Sequence, residues 1–226
     1  KGEGIPIEKK EAIKYYKMAA DKGNTKAMFN YANKLNFGDG IKMNKKEAIK
    51  YYKMAIDKND ADSMNSYALM LQKGDGIPED KEEASKYFKM AIDRGNVDAM
   101  TNYALMLQDE DKDSMENAIK YFKMAIDKGS DIAMYNYACI LEKGCKSIPV
   151  NKEEAIKYYK MAIEKGKTGA MVNYAFMLCN ENSDQESINE AVKLYKMAIE
   201  KGDSDAMTNY AIMLDNGDQM QCITIL

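Results

Sequence analysis

Asp109, Asp111 and Asp113 stand at alternate positions, the spacing with which a calcium loop begins its set of ligands. That loop then needs a glycine at its sixth position and a glutamate at its twelfth. Here those places hold Ser114 and Lys120, so the three acids read as a polar loop before a helix. Cys139, Cys145, Cys179 and Cys222 show no CxxC spacing. They read as reduced thiols, which favours an intracellular, cytoplasmic setting. The chain has no histidine, so a serine or cysteine nucleophile lacks its usual base. Gly38-Asp39-Gly40 lacks the spacing and the following Lys-Ser/Thr of a phosphate-binding loop. No catalytic, cofactor or metal site is expected, and the chain reads as a non-enzyme.

The residues that recur are ones that bind rather than react. Asn30 returns as Asn102, Asn136, Asn173 and Asn209, with Ser66 taking the place once. An asparagine within a helix is less favourable than alanine by a few tenths of a kcal/mol, on the order of 0.5, so the returns imply a compensating hydrogen bond. Its amide is able to pair with the backbone of an extended peptide, or to form a ladder between neighbouring helices. Lys14 and Lys17 return as Lys50/Lys53, Lys86/Lys89, Lys120/Lys123, Lys157/Lys160 and Lys193/Lys196. Glu11 lies three residues before Lys14 and Asp21 four after Lys17. Such spacings pair charges along a helix, so the lysine rows are expected to form a solvated, self-neutralised outer face. Lys+Arg 33 against Asp+Glu 36 leaves a net charge of −3, and no apolar run approaches the ~18 residues of a membrane span. No nucleic-acid partner and no membrane insertion are expected.

These rows belong to a repeated element. Ala27-Met28-Phe29-Asn30-Tyr31-Ala32 returns with Met at 64, 100, 134, 171 and 207. Ala12-Ile13-Lys14-Tyr15-Tyr16-Lys17-Met18-Ala19 returns from Ala48, Ala84, Ala118, Ala155 and Ala191 with the same steps of 36, 36, 34, 37 and 36 residues. A fixed period of this length marks a solenoid, whose units pack only on their neighbours. The first phrase predicts a helix A over 25–36, capped by Asn24, with Ala27, Met28, Tyr31, Ala32 and Leu35 on its core face. The second predicts a helix B over 9–22, with Ala12, Ile13, Tyr16, Ala19 and Ala20 facing the core. Gly23, Gly95, Gly129, Gly166 and Gly202, with Asn59 once, suit the left-handed residue that closes a helix. The Met18 and Met28 rows are expected to pack between units. The expected organisation is one solenoid domain over 1–218, its first unit truncated at a loop, and an atypical tail over 219–226. Lys1-Gly2-Glu3-Gly4-Ile5-Pro6 copies the loop Lys73-Gly74-Asp75-Gly76-Ile77-Pro78, and further repeats are expected upstream.

The series Ala-x3-aromatic-Ala-x2-Leu, Gly-Asp-Gly-Ile, Lys-x-Ala-x2-Tyr-Tyr-x2-Ala-x3-Gly resembles the Sel-one-like repeats, relatives of the tetratricopeptide repeats, from the Gly4 loop to about Gly217. One departure is Tyr-Ala in helix A, where that family more often has Leu-Gly. The resemblance implies an all-α, right-handed α/α superhelical solenoid of about six two-helix repeats. It also implies an adaptor or scaffold in protein complexes, with one face of the A helices lining a concave groove. A branch of the family carries a disulfide in each repeat; the regular cysteines it would need are absent.

Opposite the core arc of helix A, the positions at 29 and 33 vary while the core stays fixed. The pairs are Phe29/Asn33, Asn65/Leu69, Thr101/Leu105, Tyr135/Cys139, Val172/Phe176 and Thr208/Ile212. Together with Asn30, Asn102, Asn136, Asn173 and Asn209 they form the candidate protein-binding surface. Several are apolar although expected outside the core, which marks either a ligand groove or burial against a neighbouring A helix. The partner is then a protein or peptide. The alternative is a structural spacer or self-assembling scaffold, for which self-association is possible.

Overall fold

The computed structural model describes residues 8–108, 112–145, 148–181 and 184–216. The expectations placed on the 1–6 loop, on the Asp109, Asp111 and Asp113 carboxylates, on Cys222 and on the 219–226 tail lie outside the described residues. Among those described, the structure is helical, with only an isolated bridge between Cys145 and Ile148 as extended pairing.

The chain divides into two compact units, Lys1–Glu110 and Asp111–Leu226. The first holds α1 (Lys9–Asp21), α2 (Thr25–Phe37), α3 (Lys45–Ile56), α4 (Ala61–Lys73), α5 (Lys81–Asp93) and α6 (Val97–Gln108). The second holds α7 (Lys112–Asp127), α8 (Asp131–Lys143), α9 (Lys152–Glu164), α10 (Thr168–Glu181), α11 (Gln185–Glu200) and α12 (Ser204–Asn216). Odd-numbered helices are the B type and even-numbered helices the A type.

Short polar side chains start these helices by accepting a free backbone N–H of the first turn. Asn24 Oδ1 accepts from Ala27 N at 2.9 Å, Asp60 Oδ2 from Ser63 N at 2.8 Å and Asp184 Oδ1 from Ser187 N at 2.9 Å. The B helices stop where one residue turns left-handed. That place is Gly23 at φ 91°, and Asn59 fills it at φ 64° as the sole non-glycine with positive φ among the described residues.

The A-helix core face is as expected: Ala27, Met28, Tyr31, Ala32 and Leu35 are all buried. The B helices contribute Ala48, Tyr52 and Ala55 in α3 and Ala155, Tyr159 and Ala162 in α9, all fully buried. Small residues let the helices approach, and each large ring fills the layer between them. The hairpins lock through paired tyrosines. Tyr31 and Tyr51 meet edge to face at 4.8 Å, Tyr67 and Tyr87 at 4.9 Å, and Tyr137 and Tyr158 at 5.0 Å, a preferred geometry for aromatic quadrupoles.

Three expectations are corrected. Ala12, Tyr16 and Ala19 of α1 are exposed or half-buried, because no preceding hairpin covers them among the described residues. The Met28 row is buried up to Met171, but the Met18 row lies half-buried to exposed, at the outer edge of the B helices. Asp21 does not pair with Lys17 in the described structure; it accepts the Tyr51 hydroxyl at 2.7 Å, since that donor arrives from the next hairpin at closer range.

Candidate protein-binding face

The A helices position the candidate residues, and the B helices supply the floor beneath them. In the first unit α2 and α4 flank a cleft of about 150 Å³ that includes Asn33, Phe37, Tyr52, Ser66, Leu69 and Lys73 in its lining. Tyr52 rises from α3, its ring fully buried, and its hydroxyl donates to Asn33 Oδ1 at 2.5 Å. Burial pushes the Tyr52 hydroxyl up to about 12, so the floor stays neutral. Phe29 packs on the same ring, with centroids 6.3 Å apart. Phe37, 72% exposed, stands at the rim. Lys45 and Asp75 pair at one edge.

The second unit has a corresponding station with different chemistry. The Tyr159 hydroxyl donates to Glu142 Oε2 at 2.5 Å and lies 3.4 Å from Cys139 Sγ. Asn173 Nδ2 reaches Tyr135 Oη at 3.3 Å and Cys139 Sγ at 3.4 Å. Tyr135 lies over Gly169, where an added Cβ would stand 3.2 Å from its Cζ. Burial raises the Tyr135 hydroxyl to about 12, and it raises Tyr159 as well.

The structure sorts the candidate residues. Asn33, Leu69, Leu105, Tyr135, Cys139, Phe176 and Ile212 are half-buried, and Thr208 is exposed. Asn65, Thr101 and Val172 are buried, against the expectation that their row lies outside the core; Thr101 is only 3% exposed. Adjacent A helices pack on one another there, and the side chain one step from the core arc is caught between them. Asn102 Nδ2 donates to Asn65 Oδ1 at 3.0 Å, a rung between α4 and α6. Asn136 Nδ2 donates to Ile132 O of its own helix at 2.8 Å. Asn30 lines a hollow beside α1 instead of the A-helix cleft, and Asn209 is half-buried on α12.

Phe37, Tyr52 and Glu142 escaped the sequence reading, and Ser66 was named there only as the exception in the asparagine row. A signal for the B-helix ring was present. Tyr52 and Tyr159 follow the polar Asn33 and Cys139, whereas Phe88 and Phe122 follow Leu69 and Leu105. A hydroxyl is placed where the A helix offers it a polar neighbour; Tyr195 after Phe176 departs from this rule.

The lysine rows are drawn onto aromatic faces. Lys53 Nζ lies 5.1 Å from the Tyr67 ring centroid, Lys123 5.5 Å from Tyr137 and Lys160 5.4 Å from Tyr174, within cation–π range. The facing tyrosine hydroxyl also holds each of these lysines above the ordinary lysine range. Among the described residues no group of acidic and cysteine side chains is arranged to hold a metal ion, and no helix is long and apolar enough to cross a membrane.

Two-helix units with this period, these buried rows and a ring-floored A-helix face define a helical-repeat solenoid. The Sel1 repeat matches residues 1–24, 25–60, 61–96, 97–130, 131–167 and 168–203, and the chain belongs to the Sel1 repeat family. Sel1 repeat proteins generally act as protein–protein interaction scaffolds and are typically non-catalytic. Among solved structures, the chain is similar to a Sel1 repeat protein from Oxalobacter formigenes, with 26% identity over 88% of this chain and 82% of that one, at a TM-score of 0.78. It shares its fold with two immunity proteins of Pseudomonas aeruginosa. Pa5087 is 19% identical, covering 86% of this chain and 75% of that one, at a TM-score of 0.59. PA5088 is 21% identical, covering 83% and 72%, also at 0.59. No curated protein sequence matches the chain.

Proposed function

We propose that the protein is a non-catalytic adaptor that holds a segment of another protein against the A-helix faces. The observation that carries this reading is the α2–α4 cleft. It opens at Asn33 and Leu69, on the row whose identity varies between repeats, and is rimmed by the exposed Phe37 ring. An exposed aromatic beside unevenly polar walls suits an extended segment that buries one apolar side chain and leaves its backbone near amides. Asn33, Leu69, Leu105, Tyr135, Cys139, Phe176, Thr208 and Ile212 remain the contact candidates, with Phe37 and Ser66 added. Asn65, Thr101 and Val172 are assigned to packing between A helices.

A second reading, a structural spacer, is favoured by the Asn102–Asn65 rung, because that pairing uses amides that a ligand would need. Capture from lysate, read by mass spectrometry, separates the two. The native chain is compared with a Phe37→Glu/Leu69→Glu variant of equal helicity. A partner retained by the native chain and lost from the variant is the expected result. Equal capture by both would overturn the cleft assignment, and no capture by either would favour the spacer.

A further inference from the structure

The cleft between α2 and α4 holds one acceptor more than it can satisfy. Asn33 and Asn36 stand one helical turn apart on α2, and both line it. Tyr52 brings one hydroxyl proton to them, and that proton goes to Asn33 Oδ1 at 2.5 Å. Burial raises the Tyr52 hydroxyl, and the Ser66 and Asn36 side chains oppose the rise from the donor side. The N–H end of the Asn36 amide is thus the end turned to Tyr52, and its carbonyl end is left over. Asn36 is 8% exposed, and its Oδ1 is buried without a hydrogen-bond partner. Such an orphan is rare, because a buried carbonyl oxygen has given up water and gained nothing.

The second unit has the same station closed. Glu142 follows Met134 at the spacing with which Asn36 follows Met28, and Tyr159 is the counterpart of Tyr52. There the hydroxyl donates to Glu142 Oε2 at 2.5 Å, so the residue in the place of Asn36 is the one served. The first unit leaves that place open, in the wall of a cleft of about 150 Å³.

We infer that the cleft seats a glutamine side chain of the bound segment, whose carboxamide N–H donates to Asn36 Oδ1 and whose carbonyl accepts from Asn33 Nδ2. This rests on the adaptor reading and names the side chain that the cleft selects. The Asn36 oxygen lies below the surface along which a backbone would run, so a side chain must reach it. Asn33 has its Oδ1 occupied by Tyr52 and offers N–H. A donor and an acceptor side by side match a primary amide. Leu69 and Met70 line the cleft and suit the two methylenes of the stem. At the edge Lys45 neutralises Asp75, and Lys73 adds a cation that repels lysine and arginine. A glutamate has no proton to give. Alternate residues of an extended segment face the same way, so the apolar side chain on Phe37 lies two residues from the glutamine.

The test selects displayed random linear peptides on the full chain and counter-selects them on the Phe37→Glu/Leu69→Glu variant. Peptides held by the native chain alone should share a glutamine two residues from an apolar residue. Such a peptide, synthesised, should bind about ten-fold more weakly when its glutamine is changed to methionine or to glutamate, the loss of one or two hydrogen bonds. Asn36→Leu should weaken the glutamine peptide about ten-fold and leave the methionine peptide unchanged, a coupling that a merely structural role would not give. Circular dichroism checks that each variant keeps its helix, and the peptide substitutions decide the matter on the native chain if Asn36→Leu does not. Cleft-dependent peptides anchored without glutamine, or equal binding of the glutamine and methionine forms, would overturn the carboxamide and leave the adaptor reading standing. No peptide that depends on Phe37 and Leu69 would overturn the cleft itself, and the inference with it.

Discussion

Replacing Asn102 with alanine tests which role the repeated asparagine plays. Its Nδ2 donates to Asn65 Oδ1 at 3.0 Å, and Asn65 is buried at 9% exposure. Removing Asn102 strands that oxygen between α4 and α6, which costs about 1–3 kcal/mol. Alanine's better helix propensity returns about 0.5 kcal/mol. The net loss should be about 1–2 kcal/mol, read from urea unfolding with hydrogen exchange of α4 and α6 as the local probe. Asn65→Ala/Asn102→Ala removes both ends of the rung. The double variant should be less destabilised than the sum of the singles by about 1 kcal/mol. A peptide clamp predicts a different pattern, in which Asn102→Ala leaves stability at or above native and lowers capture of the partner. Additive singles, or a single variant as stable as the native chain, would refute the rung.

Alkali should unfold the protein before its buried tyrosines ionise. Tyr52 is held at about 12, and Tyr51 is raised too, chiefly by burial; an unfolded tyrosine ionises near pH ~10. Their stabilising contribution is complete below that pH and falls as pH rises toward the folded value. Loss of helix by circular dichroism should therefore accompany tyrosinate absorbance, and ionisation near pH ~10 with helix intact would contradict the burial. Asp39 is held at about 2 by hydrogen bonds from Lys34 and Lys9. Its contribution is present above the ordinary carboxylate value and lost as pH falls through about 2. Lys34→Met should move its NMR titration midpoint upward, and an unmoved midpoint would reject the pairing. Gly95→Ala, at φ 79° with nothing near the added Cβ, should cost about 1 kcal/mol from backbone conformation alone. Gly76→Ala should cost clearly more in thermal unfolding, because its Cβ would stand 2.5 Å from Lys45 Cβ; equal costs would refute the clash.

The period, the helix limits and the buried Ala-Met-Tyr-Ala-Leu row were legible in the residues alone. So were the Asn24 cap and the left-handed Asn59. Each follows from spacing along one helix or from the conformational habit of one residue, and neither requires knowledge of what lies opposite. The candidate face was legible only as a row. Its members occupy one angle around the A helix, yet Thr101 is buried and Thr208 is exposed. The difference is set by whether another helix packs across that angle. Tyr52 and Tyr159 read as layer fillers, because a helical wheel places a ring on the core side without saying where its hydroxyl ends. Only tertiary packing put those hydroxyls under Asn33 and beside Cys139. It also turned Asp21 toward Tyr51 rather than Lys17, and drew the lysine rows onto tyrosine rings. One-dimensional period determined the scaffold of this protein because each repeat carries its own packing code. The binding face is a relation between neighbours, and distances across hairpins decided it.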